Sequence, residues 1–177
     1  MNLSSMVTGA SSHRQEDAKQ SPKSSGVTLR QATISELDTL IAFSKNAHEE
    51  SYFGDISFSK EKVRKFAQKS VSETYSSQIS ILTEVNGKPV GYLYAVAGDY
   101  YVGSDSLLTT VHITKSIRHS LFGGKVVFRL VRGIKQWSDQ IGAEHLLFHV
   151  TSDINLAHSD RFMRKMGFKT LGDNYVG

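Results

Sequence analysis

One stretch of this sequence has the residue types and spacing for chemistry: an apolar strand that runs into a glycine turn and opens a helix. It reads VHITKSIRHSLFGGKVVFRL, residues 111–130. The first N–H groups of a helix have no intrahelical partner and the helix dipole is positive at that end, so an anion placed there is stabilised. Arg118, His119 and Lys125 add positive charge, and Gly123 and Gly124 let a ligand approach the backbone closely. A phosphate is a natural guest for such a turn. A purely structural turn accounts for the same residues equally well.

The rest of the inventory narrows what the turn can serve. The chain has no cysteine, which excludes a disulfide scaffold, a thiolate metal site and a cysteine nucleophile, and fits a reducing compartment. Its seven histidines are scattered, and no two fall on a helical segment at the spacing that puts both imidazoles on one face, so no metal is expected. The formal charge of +4 and the pI near 9.2 help attract anions, but no recognised nucleic-acid motif accompanies basic positions such as Lys60, Lys62, Arg64 and Lys65. No apolar run approaches the roughly 18–20 residues of a membrane span, and the N-terminus lacks the apolar stretch of a secretory signal, so a cytoplasmic protein is expected.

The elements that must position the turn follow from periodicity. The 177 residues have room for one domain and a tail. Residues 1–26 hold seven serines and few large apolar groups, so they are expected to form a flexible leader, with the domain spanning 27–177. VTLRQA reads as a strand, and Ser35 as the N-cap of a helix with Leu37, Leu40, Ile41 and Ala47 on one face. Ser59 caps a shorter helix striped by Val63, Phe66 and Ala67. QISILTEV and KPVGYLYAVAG flank Asn86-Gly87, a pair that favours the positive φ angles of tight hairpin turns. LLTTVHI is a further strand, and the helix after the glycine turn directs Val126, Val127, Leu130, Val131 and Ile134 inward. EHLLFHV is an apolar strand, SDINLAHSDRFMRKMG a loop and a helix stopped by Gly167, and FKTLGDNYVG a closing strand or hairpin.

In that setting Arg118-His-Ser-Leu-Phe-Gly123 resembles the R/Q-x-x-G-x-G/A fingerprint of the GCN5-related N-acetyltransferases, and RFMRKMGF, with Gly167-Phe168, is similar to their closing helix. The resemblance implies an α/β (α+β) fold: a mixed, mostly antiparallel central sheet of about six to seven strands flanked by about four helices. It implies acetyl-CoA as acyl donor, without a metal. Ile113 then ends the strand beside the pantetheine arm, and Arg118, His119, Ser120, Leu121, Phe122, Gly123, Gly124 and Lys125 surround the pyrophosphate. Asn155 is the candidate contact to the arm. The chain departs from the pattern twice. Leu121 stands where the first glycine is expected, and Met163 stands where many members carry a tyrosine acid, a proton that methionine cannot donate.

Acetyl transfer to an amine needs a base for the ammonium, a polarised thioester carbonyl and a proton for the departing thiolate. Asp105, at the start of the strand before the turn, shares the side-chain parity of Ile113 under unbroken alternation and is the expected base; a turn carboxylate is its other reading. His112 has the intrinsic pKa of a proton shuttle, but alternation turns it to the opposite sheet face, under a helix, and His149 is read the same way. Tyr175 is the expected acid, with Tyr100 and Tyr101 the other phenols bordering the cleft. The expected function is N-acetyl transfer from acetyl-CoA to a primary amine, on a small molecule or a protein, by direct attack. The alternative is a catalytically impaired binding or structural protein of the same fold, motivated by Leu121 and Met163. The acceptor is not legible in the two early helices, and an edge strand leaves homodimer formation open.

Overall fold

Alternation along the two central strands divides the core in two. The computed structural model describes residues 26–72, 77–103, 106–116, 123–149 and 156–172. In these, β1 (Val27–Gln31), β2 (Gln78–Val85), β3 (Lys88–Asp99), β4 (Leu107–Ser116) and β5 (His145–Phe148) form one sheet in the order β1-β2-β3-β4-β5. Four helices accompany it: α1 (Leu37–Glu49), α2 (Lys60–Ser70), α3 (Gly123–Gln140) and α4 (Leu156–Lys165). The first four strands are antiparallel neighbours, and β5 runs parallel to β4, a pairing that needs the crossover supplied by α3.

Ile79 and Ile81 of β2 and Leu93 and Ala95 of β3 face α3 and pack with Val126, Leu130 and Ile134. Leu82, Tyr92 and Tyr94 point the other way, against Leu40 and Phe43 of α1 and Ala67 of α2. A strand covered on both faces is apolar or neutral throughout, and β2 is buried without a break from Ile79 to Thr83. Most of the polar groups trapped there find each other, while the buried Thr83 Oγ1 has no hydrogen-bond partner. The Ser70 and Ser80 hydroxyls lie 2.6 Å apart, Ser80 is 3.3 Å from the Tyr92 hydroxyl, and Ser138 donates to Thr109 at 2.9 Å.

Local chemistry sets the joints. Asn86 and Gly87 have φ of 52° and 74°, as a tight hairpin between β2 and β3 requires. Gly167, at φ 88°, ends α4 with its N–H on Arg164 O, while the Phe168 N–H reaches Met163 O, both at 3.0 Å. The helical segment before α1 starts two residues earlier than expected from Ser35. Thr33 is the cap, its N–H donating to the Glu36 carboxylate at 2.9 Å, and a turn of 3-10 helix (Ile34–Glu36) leads into α1. Arg30 then bridges Glu36 at 2.6 Å and Glu84 at 2.5 Å.

The sheet has five strands among the described residues, fewer than the six to seven expected. The difference lies partly in FKTLGDNYVG. Residues 168–172 pair with no strand, because Thr170 is held against α4 instead, accepting from Arg164 at 3.0 Å and donating to Asp160 at 3.2 Å. Residues 173–177 and the predicted leader lie outside the described residues, apart from Gly26.

α3 approaches the sheet so closely that two glycines are required by contact. A Cβ on Gly91 would stand 2.4 Å from Thr83 Oγ1 and 2.5 Å from Val126 Cγ1, and one on Gly133 would stand 2.6 Å from Leu29 Cδ2. Gly91→Ala is therefore expected to cost about 1–3 kcal/mol by overpacking, read as a lower urea midpoint. Gly98→Ala, whose added carbon meets open space, is the control and should stay within about 0.5 kcal/mol.

A second expectation concerns acid. Hydrogen bonding to Arg30 holds the Glu36 carboxyl down at about 2, against an ordinary 4.5. A depressed carboxylate pKa stabilises the fold above the unfolded value, and that contribution is lost as pH falls from 4.5 towards 2. Glu36→Gln should flatten this part of the stability-versus-pH curve, measured by thermal midpoints across the acid range.

Candidate active site

β4 and β5 pair from Leu108 with His145 to Val111 with Phe148, and then part. The last bond between them is His149 N–H to Val111 O, at 3.4 Å. β4 nevertheless runs on to Ser116, so among the described residues, 113–116 pair with β3 alone. Their other edge lies on a cleft of about 710 Å³. The strand therefore does not end at Ile113, as expected, but continues three residues along the cleft wall.

An irregularity in β4 decides which side chains enter. Tyr94 pairs with Ile113 and Ala95 with Val111, which leaves His112 as the extra residue of a β-bulge. The bulge breaks the alternation, so His112 and Ile113, neighbours in sequence, both line the cleft. This corrects the expectation that His112 packs under a helix on the far face. It also removes the ground for Asp105, since parity counted from Ile113 does not carry across a bulge.

The His112 ring lies nearly parallel to that of His149, with centroids 6.0 Å apart and planes at 13°, and 6.0 Å from the ring of Tyr94. His149, at the end of β5, lines the cleft as well. Desolvation, and secondarily the neighbouring His149, lower the His112 pKa from its ordinary 6.5. At pH 7 the ring is therefore mostly neutral, with one nitrogen able to accept a proton. Burial pushes the Tyr94 phenol up to about 12, so it stays protonated.

At one end of the cleft, α3 presents its N-terminus. Gly123 and Gly124 line the cleft, and a Cβ on either would meet nothing within 4 Å. No acidic residue occupies the first turn of α3, so nothing there opposes a bound anion. Lys125 is exposed on the same turn. α4 closes this end with His158, Ser159, Phe162 and Met163, and Phe148 of β5 adds an apolar face. At the other end stand Phe58 and, from α2, Val63 and Phe66. There the His48 Nε2–H donates to Ile56 O at 2.6 Å, tying residues 51–58 back onto α1. Glu50 forms an ion pair with Lys115 at 2.5 Å, joining the end of α1 to β4.

Ile113, Gly123 and Gly124 all line this one cleft. Arg118, His119, Ser120, Leu121, Phe122 and Asn155 lie outside the described residues, as do Asp105 and Tyr175. Tyr100 and Tyr101 are exposed and pack edge-on against each other at 5.1 Å. Val127, expected in the core, is only half-buried and lines the cleft. Sequence reasoning missed His112, because nothing in a strand's residue pattern announces a bulge. It also missed the Glu50–Lys115 pair, which joins elements far apart in the chain.

No protein-family model matches the sequence, and no curated protein matches it significantly. Solved structures do match. A possible acetyltransferase from Clostridium difficile 630 superposes with a TM-score of 0.65 at 14% identity, over 85% of this chain and 95% of that one. The aminoglycoside N-acetyltransferase AAC(6')-Iy in complex with CoA gives 0.65 at 14% identity, over 89% and 97%. The chain has the GCN5-related acetyltransferase fold. A transcriptional regulator from Bacillus halodurans C-125 is also similar, with a TM-score of 0.66 at 17% identity over 86% and 99%. The likeness therefore fixes the architecture, and the site must be argued from its own residues.

The open helix N-terminus gives a direct expectation. Gly124→Asp puts a carboxylate in front of the α3 amides, and the affinity for an anionic ligand at this turn, with CoA as the probe in isothermal titration, should fall at least about tenfold, or ~1.4 kcal/mol. The thermal midpoint without ligand should not fall, since an acidic residue suits a helix's first turn.

Proposed function

We propose that this protein transfers an acetyl group from acetyl-CoA to a primary amine by direct attack. The observation that carries the reading is the parted edge of β4, which leads past the bulged His112 while the open N-terminus of α3 borders the same cleft. The CoA complex of AAC(6')-Iy, which has this fold, supports it.

The residues present fit such a donor: a strand edge without a partner among the described residues, and a helix N-terminus with open space before it and no acidic side chain in its first turn. When bound, acetyl-CoA supplies the thioester carbonyl that the amine attacks. The chain's own groups do the rest. Residues 112–116 offer their free backbone edge to an extended chain much as they would to a missing strand. Gly123, Gly124 and the α3 dipole hold the negatively charged end. His112, mostly neutral at pH 7, takes a proton from the incoming ammonium and leaves a lone pair for attack. Desolvation first, and the nearby His149 second, disfavour positive charge on His112 and so keep its pKa low. Met163 has no proton to give, and His158 and Ser159 are the donors that α4 brings to the cleft for the departing thiolate. Phe148, Phe162 and Val127 limit access of water.

A second reading, a binding protein without turnover, is favoured by Met163 in the wall of the cleft. It requires CoA to bind without thiol release in the presence of any amine.

The pH dependence tests the assignment of His112. Its pKa is lowered, so the base form predominates above the ordinary histidine value of 6.5 and is lost as pH falls through the lowered value. At saturating amine, kcat should be flat near pH 7 and fall on the acid side. His112→Gln should lower kcat by about 10²–10⁴-fold and abolish the acid limb, with CoA affinity preserved. An acid limb that survives the substitution would remove His112 from this role.

A further inference from the structure

We infer that the acceptor is a singly charged amine carrying a flat, apolar body, and that polycationic acceptors are disfavoured; this rests on the acetyl-transfer reading above. The argument comes from the end of the cleft opposite α3, where α1, α2 and the loop between them meet β4. Its walls there are apolar: Phe58, Val63 and Phe66 line it. Phe66 stacks on Tyr94 with centroids 4.5 Å apart and planes at 25°, and the Tyr94 ring lies 6.0 Å from that of His112. The buried Tyr94 thus links Phe66 of α2 to the bulged histidine from beneath, while Phe58 and Phe66 are the rings that line the cleft. A flat apolar group lying along those two rings directs an attached amine to His112.

The charges at this end point the same way. Among the described lining residues Glu50 is the one carboxylate, and Lys115 neutralises it at 2.5 Å with a side chain only 11% exposed. Lys62 of α2 lines the cleft too, so the described charges at this end sum to positive. An acceptor with several ammonium groups meets two lysines here and a single, already paired acid. Three of the local hydroxyls already serve the backbone. Ser44 donates to Leu40 O and Ser51 to His48 O, both at 2.8 Å, while Ser59 accepts from the Lys62 N–H at 3.4 Å. A polyhydroxylated sugar amine gains less from hydroxyls engaged in this way.

The test is a competition of acceptor classes on the full-length protein. Thiol release from acetyl-CoA is measured with phenethylamine, spermidine and kanamycin, and CoA binding is measured separately by calorimetry. Phenethylamine is expected to have a kcat/KM at least about 100-fold above the other two. Lys62→Glu, on an exposed helix position where an acid is well tolerated, should narrow that ratio by at least about tenfold by improving spermidine and kanamycin. Phe66→Ala should raise the KM for phenethylamine more than it lowers kcat. A wild-type preference for kanamycin or spermidine would overturn the inference while leaving acetyl transfer intact. If CoA binds but no amine is acetylated, titration of the three amines into the CoA-loaded protein decides. Tighter binding of phenethylamine supports the inference, and tighter binding of kanamycin or spermidine, or no amine binding, overturns it. Absence of CoA binding would instead remove the acetyl-transfer reading itself.

Discussion

The parting of β4 from β5 after Val111 is the constraint on which the site depends. Parallel strands normally continue side by side, because each unpaired backbone group removed from water without a partner costs free energy. Here, among the described residues, β4 runs to Ser116 beside β3 alone, while the chain leaves β5 at Phe148. The groups left over face a cleft, where a ligand or water can satisfy them. Where the strands separate, β4 also gains one residue, and His112 emerges from the ladder beside Ile113. The bulge and the parted edge act together. One supplies backbone groups to a ligand, and the other turns a titratable ring towards it.

The rest of the fold keeps that opening in place. α3 has to carry the chain across the sheet from β4 to β5 and still set its N-terminus at the cleft. Gly91 and Gly133 let it lie close against β3 and Leu29, and Val126, Leu130 and Ile134 anchor its inner face. Close packing of this kind resists small displacements, so the first turn of α3 is held by the core rather than by the ligand. On the opposite side, the Glu50–Lys115 ion pair ties the end of α1 to β4. Lys115 is largely buried, so removing either partner would leave a poorly solvated charge beside the cleft.

Much of the architecture was legible because it rests on local signals. Asn86-Gly87 announces its hairpin, Gly167 its helix end, and the spacing of Val126, Leu130 and Ile134 announces the buried face of α3. The site was less legible, for a physical reason. Gly123 and Gly124 follow from a local turn pattern, but His112 enters the cleft through a change of register against β3, a relation between strands that no single strand encodes. The same register change undercut the case for Asp105, whose parity was counted along β4 as though no residue had been inserted. Thr33 replaced Ser35 as the cap because Glu36 is three residues after Thr33, the spacing of a reciprocal cap, and is further held by Arg30 of the preceding strand.

The low sequence identity to structures of the same fold becomes informative once those roles are separated. Backbone would carry most of the proposed donor site: among the described residues, an unpaired strand edge and a helix N-terminus ask little of side chains beyond small residues and the absence of acids. The architecture that sets these backbone groups is shared with structures at 14% identity. The acceptor end is different, because it is made of side chains, and there Phe58, Phe66, Lys62 and the paired Glu50 define a surface with its own charge and shape. The proton-handling group belongs to the same side-chain layer. A bulge makes one position of β4 available for it, and in the proposed reaction the residue placed there would set the pH at which the chemistry runs. In this chain that residue is a partly desolvated histidine beside a second one, an arrangement that favours the neutral base at pH 7 without any carboxylate partner in contact with it among the described groups.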